Sequence, residues 1–167
     1  MATDIAVVSD THVPGREAEV PAWVRERVRS ADHTIHAGDF DAPETASLVE
    51  DLARDLTAVA GNVDPPSVDR PDVTTCRIEA VTFVVAHGTG PHASWPERVR
   101  GVVGETVDSV ENVVGVAGHT HTPTDVVVDG VRLLNPGSAT GARPATRTTM
   151  LTVTVDGDTV DVTVHEE

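Results

Sequence analysis

The sequence predicts an α/β fold, a four-layer α/β/β/α sandwich in which two sheets pack together and helices cover the outer faces. In the first sixty residues, short apolar runs alternate with helical patterns in the order βαβαβ. This order is typical of parallel strands covered by helices. In the second half, short valine-rich runs are separated by turn signals, so this part is predicted to be mainly β and antiparallel.

The first half contains three predicted strands and two predicted helices. Short runs of β-branched residues are typical of buried strands, and Pro21 is well placed in the first turn of a helix. In chain order, the elements are a strand at 4–10, a helix at 20–31, a strand at 33–39, a helix at 42–56 and a strand at 57–62. The side chains expected to face inward from the second helix are Leu48, Val49, Leu52 and Leu56.

The second half contains one predicted helix among strands. Residues 72–88 read as two strands joined by a tight turn, residues 94–107 as a helix, and residues 113–120 as the start of a series of short strands. The turn signals in that series are Asp129-Gly130 and Asp156-Gly157-Asp158, which favour hairpins.

Length and composition predict a single cytoplasmic domain over residues 1–167. No run of basic and then apolar residues opens the chain, and no apolar stretch approaches the ~20 residues of a membrane span. The chain has one cysteine, Cys76, and therefore cannot form an internal disulfide, which fits a reducing compartment.

The charge composition is unusual. The formal net charge is −15, and all 12 basic residues are arginines. An acidic surface without lysine suggests a protein from a salt-loving organism, with an ordinary acidic protein from a GC-rich genome as the alternative. Net acidity disfavours binding to nucleic acid. In molar salt the Debye length is about 3 Å, so local sites rather than the net charge determine whether nucleic acid binds.

Potential metal ligands follow five of the predicted strands, where ligand sites of α/β sheets gather. One metal cannot use seven ligands, but two metals that share a bridging ligand can. Asp10-Thr11-His12 and His119-Thr120-His121 have a spacing of two, so each pair would converge on one centre if the backbone were extended. The seven residues are Asp10, His12, Asp39, Asn62, His87, His119 and His121.

Each of these signals has an ordinary explanation when it is taken alone. A D-x-H sequence after a strand is commonly a turn or a helix cap, and Gly61-Asn62 is a common turn sequence. The order of the whole set along the chain is what indicates a site.

Five segments together resemble the motifs of the calcineurin-like metallophosphoesterases. The resemblance runs from about residue 4 to residue 155, and "NPGS" with the short length is similar to the small bacterial and archaeal branch related to YfcE-type phosphodiesterases. It implies a metallo-dependent phosphatase-like fold of two mixed sheets flanked by helices. The segments are "SDTHVPG" (9–15), "HAGDF" (36–40), "GNVD" (61–64), "AHG" (86–88) and "GHTHTP" (118–123).

The resemblance implies a ligand set for each of two divalent metal ions. Asp39 would bridge them. Oxygen and imidazole ligands without thiolate suit manganese, which we favour, and also iron, nickel or zinc. One ion would be held by Asp10, His12, Asp39 and His121, and the other by Asp39, Asn62, His87 and His119.

The implied reaction is hydrolysis of a small phosphate ester. Two cations would lower the pKa of a bridging water, and the resulting hydroxide would attack phosphorus while the metals neutralise the phosphoryl oxygens. Asp39, Asn62 and His87 are the expected catalytic residues. A phosphodiester is the favoured substrate because the small branch leans that way, and a monoester is the alternative.

The chain departs from larger relatives at Val63, where they carry a histidine that assists the substrate or the leaving group. No general acid is therefore evident. His92 could reach the site from a loop, or it could be a solvent-exposed loop residue. Asp64 either braces a ligand or caps the turn. Arg143 and Arg147 either meet a substrate phosphate or form surface salt bridges.

Two other functions compete with hydrolysis of small esters. Some eukaryotic relatives of this size are scaffolds of a membrane-coat complex with an impaired metal site, whereas the ligand set is complete here. A nuclease is disfavoured because the sequence shows no basic groove or aromatic stacking platform. The β-rich C-terminal segment is a possible edge for a homodimer.

Overall fold

The computed structural model describes residues 1–167, which form ten strands in two five-stranded sheets together with three α-helices. No helix is long and apolar enough to cross a bilayer. The helices are α1 Ala22–Ser30, α2 Pro43–Leu52 and α3 Trp95–Thr106. The strands are β1 Thr3–Val8, β2 His33–His36, β3 Leu56–Ala58, β4 Val73–Ile78, β5 Val81–Ala86, β6 Val113–Val116, β7 Thr124–Val128, β8 Val131–Asn135, β9 Thr149–Asp156 and β10 Thr159–Glu166.

Both sheets are mixed. The first has the order β10-β9-β1-β2-β3, with β1, β2 and β3 parallel and the β9–β10 hairpin antiparallel to β1. The second has the order β4-β5-β6-β8-β7. Its central strands β5, β6 and β8 are parallel, and its outer pairs β4–β5 and β7–β8 are antiparallel.

The antiparallel prediction for the second half is therefore right for the hairpins and wrong for the centre of the second sheet. The helix α3 joins β5 to β6 as a crossover. A crossover brings the chain back to the end of the sheet where the first strand began, so the next strand runs in the same direction. Parallel pairing of β5 with β6 follows from that connection.

Alternation along β1 shows how the layers are built. Ile5 and Val7 are fully buried in the main core between the two sheets, where Phe83 from β5 also lies. Ala6 and Val8 belong to a separate buried cluster that includes Val24 and Val28 of α1. The helix α3 covers the outer face of the second sheet in the same way. The predicted four-layer sandwich is confirmed.

The helix α2 is shorter than predicted. It ends at Leu52, and Leu56 lies in β3, where it pairs with Thr34 of β2. The buried side chains of α2 are Thr45, Ala46 and Val49, while Leu48 is 37% exposed. Leu56 fits both a helical face and a strand from sequence alone, and pairing within the sheet decides between them.

Candidate metal centre

The loops that follow β1, β2, β3, β5 and β6 meet at one end of the two sheets. These strands are parallel within their sheets, so their carboxyl ends share an edge, as expected for ligand sites in α/β folds. All seven residues predicted as ligands lie on these five loops. Six of them form two clusters of three that could each hold a metal ion.

The first cluster consists of Asp10, His12 and His121, which are all buried. The Nε2 atom of His121 lies 3.3 Å from Oδ1 of Asp10 and 3.3 Å from Nε2 of His12. A carboxylate oxygen and two imidazole nitrogens therefore face one another within the range that a single cation spans.

The second cluster consists of Asp39, His87 and His119. The Nε2 atom of His87 lies 3.0 Å from Oδ2 of Asp39. The seventh predicted ligand, Asn62, adjoins this cluster, because its Oδ1 lies 3.1 Å from Nδ1 of His119.

Asp39 belongs to the second cluster and also reaches the first. Its Oδ2 is 3.0 Å from His87 of the second cluster and 3.5 Å from Nε2 of His12 in the first. Its Oδ1 accepts the backbone N–H of Val63 at 3.0 Å. One carboxylate is thus in reach of both groups.

Three histidines are held through Nδ1. That atom lies 2.7 Å from the Ala37 carbonyl in His87 and 2.8 Å from the Ala142 carbonyl in His121. A carbonyl only accepts, so Nδ1 of His87 and of His121 carries the hydrogen and Nε2 keeps its lone pair for the cluster. In His12, Nδ1 lies 2.8 Å from the Asp41 carboxylate, which directs Nε2 inward in the same way.

Two buried atoms of the clusters have no hydrogen-bond partner, namely Oδ1 of Asp10 and Nε2 of His87. They lie 3.8 Å apart and both offer lone pairs. A buried acceptor without a partner is costly, and two that face each other are the arrangement a cation would satisfy. Carboxylate, imidazole and amide ligands without thiolate fit a divalent metal.

The electrostatics of the metal-free site link these groups. Burial raises the pKa of Asp10, but the neighbouring His12, His121 and His87 rings together outweigh burial and hold that pKa far below its usual value. Burial lowers the pKa of His87, but the bond to Asp39 together with the charges of Asp10 and Asp39 outweighs burial and leaves that pKa raised. The pKa of His12 is raised in the same way by Asp10 and Asp41, against burial. The raised pKa values mean that these two rings hold a proton more readily when no metal supplies positive charge.

The backbone at the site is left-handed rather than extended. The φ angles are 52° at Asp10, 48° at His12, 65° at Asp39, 74° at His119 and 61° at His121. The expectation that each spaced pair converges because it is extended is therefore wrong. Asp10 and His12 do join one cluster, but His119 and His121 join different ones. Strained backbone of this kind is common at functional sites.

Two glycines let the loops approach each other closely. A Cβ on Gly61 would collide with the Asp39 carboxylate and backbone nitrogen, and one on Gly118 would collide with Ser9 and the Asp10 carboxylate. Any larger residue at either position would displace a carboxylate of the site.

Two carboxylates support the site from outside. Asp64 accepts the backbone N–H groups of Asp39, Asp41 and Gly61 at 2.8–2.9 Å, so it braces a predicted ligand rather than only capping its own turn. Asp41, which holds His12, was missed in the sequence. Its position two residues after Asp39 is the only signal that could have pointed to it.

The remaining candidate residues lie around the rim. The exposed ring of His92 lies 5.4 Å, between centroids, from the ring of His119. Arg147 pairs with Glu166 at 2.7 Å, as the salt-bridge alternative expects. Arg143 is exposed, and its carbonyl accepts a hydrogen bond from Arg16. Val63 is 39% exposed.

Two cavities border the clusters. One, of about 380 Å³, is lined by Asn62, His87 and Arg98 among others. The other, of about 450 Å³, is lined by His12, Asp41 and Val63 among others. The largest cavity, of about 540 Å³, lies against α1 and β9 and contains none of the clustered residues, so its size does not make it the site.

The chain is similar to known proteins over nearly its whole length. A probable metallophosphoesterase from Methanothermobacter thermautotrophicus is 30% identical over 161 residues, which cover 96% of this chain and 90% of that protein. The crystal structure of Chaetomium thermophilum Vps29 has a TM-score of 0.81 at 17% identity, covering 99% of this chain and 97% of that one. Entamoeba histolytica Vps29 complexed with zinc has a TM-score of 0.67 at 23% identity, covering 98% of each chain.

Likeness to the two Vps29 structures, at these identities, shows a shared fold. The family model described as the calcineurin-like phosphoesterase superfamily domain matches residues 3–158, nearly the whole chain. The chain belongs to the calcineurin-like phosphoesterase superfamily.

Proposed function

We propose that the protein hydrolyses phosphate esters with two divalent metal ions. Asp39 would be shared between the ions and, with Asn62 and His87, would form the catalytic core. When bound, the two ions would activate a water for attack on phosphorus and neutralise the phosphoryl oxygens. One ion would be held by Asp10, His12, Asp39 and His121, and the other by Asp39, Asn62, His87 and His119.

The observation that carries this proposal is the position of Asp39. Its Oδ2 lies within 3.5 Å of a histidine nitrogen from each cluster. Oδ1 of Asp10 and Nε2 of His87 lie beside it without partners. An anionic bridge between two groups of buried lone pairs is the arrangement that a metal pair needs.

The other polar groups of the chain orient these ligands. The Ala37 and Ala142 carbonyls fix the tautomers of His87 and His121, and Asp41 holds His12. Asp64 fixes the turn that carries Asp39. Loss of such supporting contacts in metal sites typically costs about 10–100-fold in metal affinity or activity.

Within this class we propose a diester as the substrate. A diester has two organic arms, and the two cavities adjoin different clusters, one beside Asn62 and the other beside Val63. Adjacent residues of one turn thus line different cavities. Val63 can neither donate a proton nor bind phosphate, so esters with acidic leaving groups should react faster than those with poor ones.

Manganese is the metal we favour, although four imidazoles with carboxylate and amide oxygens suit manganese, iron, nickel and zinc alike. Zinc stays an alternative. The Entamoeba histolytica Vps29 crystal structure holds that ion in the same fold.

A second candidate function is a non-catalytic scaffold, since several structures with the same fold are Vps29 proteins. One of them, from Chaetomium thermophilum, is complexed with a cyclic peptide. The complete pair of clusters favours catalysis. Less than one metal ion per chain under manganese- or zinc-replete conditions would favour the scaffold instead.

Activity is tested with bis-p-nitrophenyl phosphate and p-nitrophenyl phosphate, then with a panel of cyclic and linear diesters. The assays use molar salt and manganese, nickel, zinc or iron, with metal-stripped protein as the control. We expect metal-dependent release of nitrophenol, faster from the diester. Release from neither ester with any of the metals would overturn the proposal.

A further inference from the structure

The segment between β5 and α3 is tied together by one side chain, Arg98 of α3. Its Nη2 donates to the Gly88 carbonyl at 2.8 Å, and its Nη1 donates to the Pro91 carbonyl at 2.9 Å and to Oγ of Ser94 at 2.7 Å. Two terminal nitrogens of one guanidinium thus hold three points of the loop.

The loop contacts the second cluster through the carbonyl of Gly90, which lies 3.0 Å from Nε2 of His119. We propose that Arg98 is a positioning residue that fixes His119. By holding the Gly90 carbonyl in place, it keeps the hydrogen of His119 on Nε2 and leaves the lone pair of Nδ1 for the second metal. The part of this inference that concerns metal binding rests on the proposed function. The part that concerns the orientation and tautomer of His119 is independent of it.

His119 differs from the other three histidines of the clusters. They are buried and are anchored through Nδ1, by the Asp41 carboxylate in His12 and by main-chain carbonyls of Ala37 and Ala142 in the others. His119 is only partly buried and is anchored through Nε2, with Nδ1 facing Asn62. Its orientation therefore depends on the one loop that Arg98 holds.

The backbone of Gly90 rests directly on the guanidinium. Its φ angle is 136°, and a Cβ at this position would lie 2.7 Å from both Cζ and Nε of Arg98. A side chain at residue 90 would therefore displace either the loop or the guanidinium, and either movement breaks the contact between them. Gly90 and Arg98 are two independent points at which the same link can be broken.

Arginine is required rather than a positive charge alone. The fork reaches acceptors at Gly88 and Pro91 at the same time, whereas a lysine ammonium is a single point that cannot span both in this geometry. The Nε–H of Arg98 is buried without a partner, so its contribution lies in the two terminal nitrogens.

The primary test is the tautomer of His119 in metal-free protein, read from long-range ¹H–¹⁵N NMR spectra of the imidazole rings. The variants are Arg98→Gln, Arg98→Lys and Gly90→Ala. The control is Arg100→Gln, on the same helix, whose side chain reaches only the Asp129 carbonyl at 3.3 Å. We expect the Nε2–H tautomer in the wild type and the control, and a mixture of tautomers in the three variants.

The second readout is manganese binding by calorimetry. We expect the affinity of one site to fall about 10–100-fold in Arg98→Gln while the other site keeps its affinity. A general loss of structure would weaken both sites and lower the melting temperature in proportion. Where Arg98→Gln fails to fold, Gly90→Ala supplies the same measurement with the guanidinium intact.

The two possible failures are distinguishable. A wild-type tautomer in both Arg98→Gln and Gly90→Ala would overturn the role of Arg98, whatever the metal does. A changed tautomer in a protein that binds no metal, even as wild type, would support the role of Arg98 and overturn the proposed function.

Discussion

The carboxylate of Asp64 accepts the backbone N–H of Asp39 at 2.9 Å, and so a residue outside both clusters fixes the backbone of the residue whose carboxylate reaches both. The same carboxylate accepts the N–H groups of Gly61 and Asp41. It thereby joins the loop after β3 to the loop after β2. The ends of two parallel strands are held together at the point where the candidate metal pair would bind.

Asp64→Asn is predicted to weaken this junction. The amide has one acceptor oxygen, and its NH₂ group would face N–H donors that now find a carboxylate oxygen. Unfolding in urea should show a loss of about 1–3 kcal/mol, the usual cost of leaving buried donors unsatisfied. Manganese affinity should fall as well. Asp51→Asn, on the exposed face of α2, is the matched control, and an equal loss in both variants would contradict the bracing role.

Gly61→Ala is predicted to damage the site by crowding. A methyl group there would collide with the Asp39 carboxylate and its backbone nitrogen, so Asp39 must move. We expect manganese affinity to fall by about tenfold or more, in line with other perturbed ligand supports.

The control for Gly61→Ala is Gly101→Ala. Gly101 lies within α3, and a Cβ there meets nothing within 4 Å. This variant should be more stable by roughly 0.5–1 kcal/mol, because alanine is the better helix former, and should bind metal normally. Unchanged metal binding in Gly61→Ala would show that Asp39 does not need its present position.

His36 is predicted to make stability depend on pH. It is fully buried, accepts the N–H of Gly38 at Nδ1, and lies 2.7 Å from Oγ1 of Thr11 through Nε2. Burial lowers the pKa of His36 from its ordinary 6.5 to about 3. The folded protein therefore favours the neutral ring, so this contribution to stability is present above pH 6.5 and is lost as the pH falls towards 3.

The test compares wild type with His36→Asn, which keeps an acceptor for Gly38, in urea unfolding of metal-free protein between pH 7 and pH 5. The stability advantage of the wild type should shrink as the pH falls. His92→Asn, at an exposed histidine, serves as the control. An advantage that stays constant or grows on acidification would refute the assignment of a neutral buried ring.

The sequence was sufficient for the layers of the fold because apolar periodicity is a local signal. It distinguishes the inward face of β1, with Ile5 and Val7, from the outward face. It could not supply the parallel centre of the second sheet or the end of α2. Those depend on how α3 crosses over and on the pairing of Leu56 with Thr34, which are tertiary facts.

The sequence pointed to the proximity of the candidate ligands but not to their geometry. Their position after strands, and the resemblance of the motifs, pointed to all seven residues that the structure brings together. Two features arise only when the loops meet. They are the left-handed backbone at Asp10 and His119 and the contact of Asp41 with His12. Apart from the position of Asp41 two residues after Asp39, spacing in the sequence carries no information on those contacts.

The most direct test of the account is the number of metal ions bound by wild type and by Asp39→Asn. Both proteins are loaded with manganese, dialysed and assayed by elemental analysis, with circular dichroism as the check on folding. Two cations need an anionic ligand between them, and the amide variant removes that charge while nearly keeping the shape. We expect two ions per chain in the wild type, and fewer than one, without hydrolysis of bis-p-nitrophenyl phosphate, in the folded variant. Two ions per chain and full activity in Asp39→Asn would contradict the account.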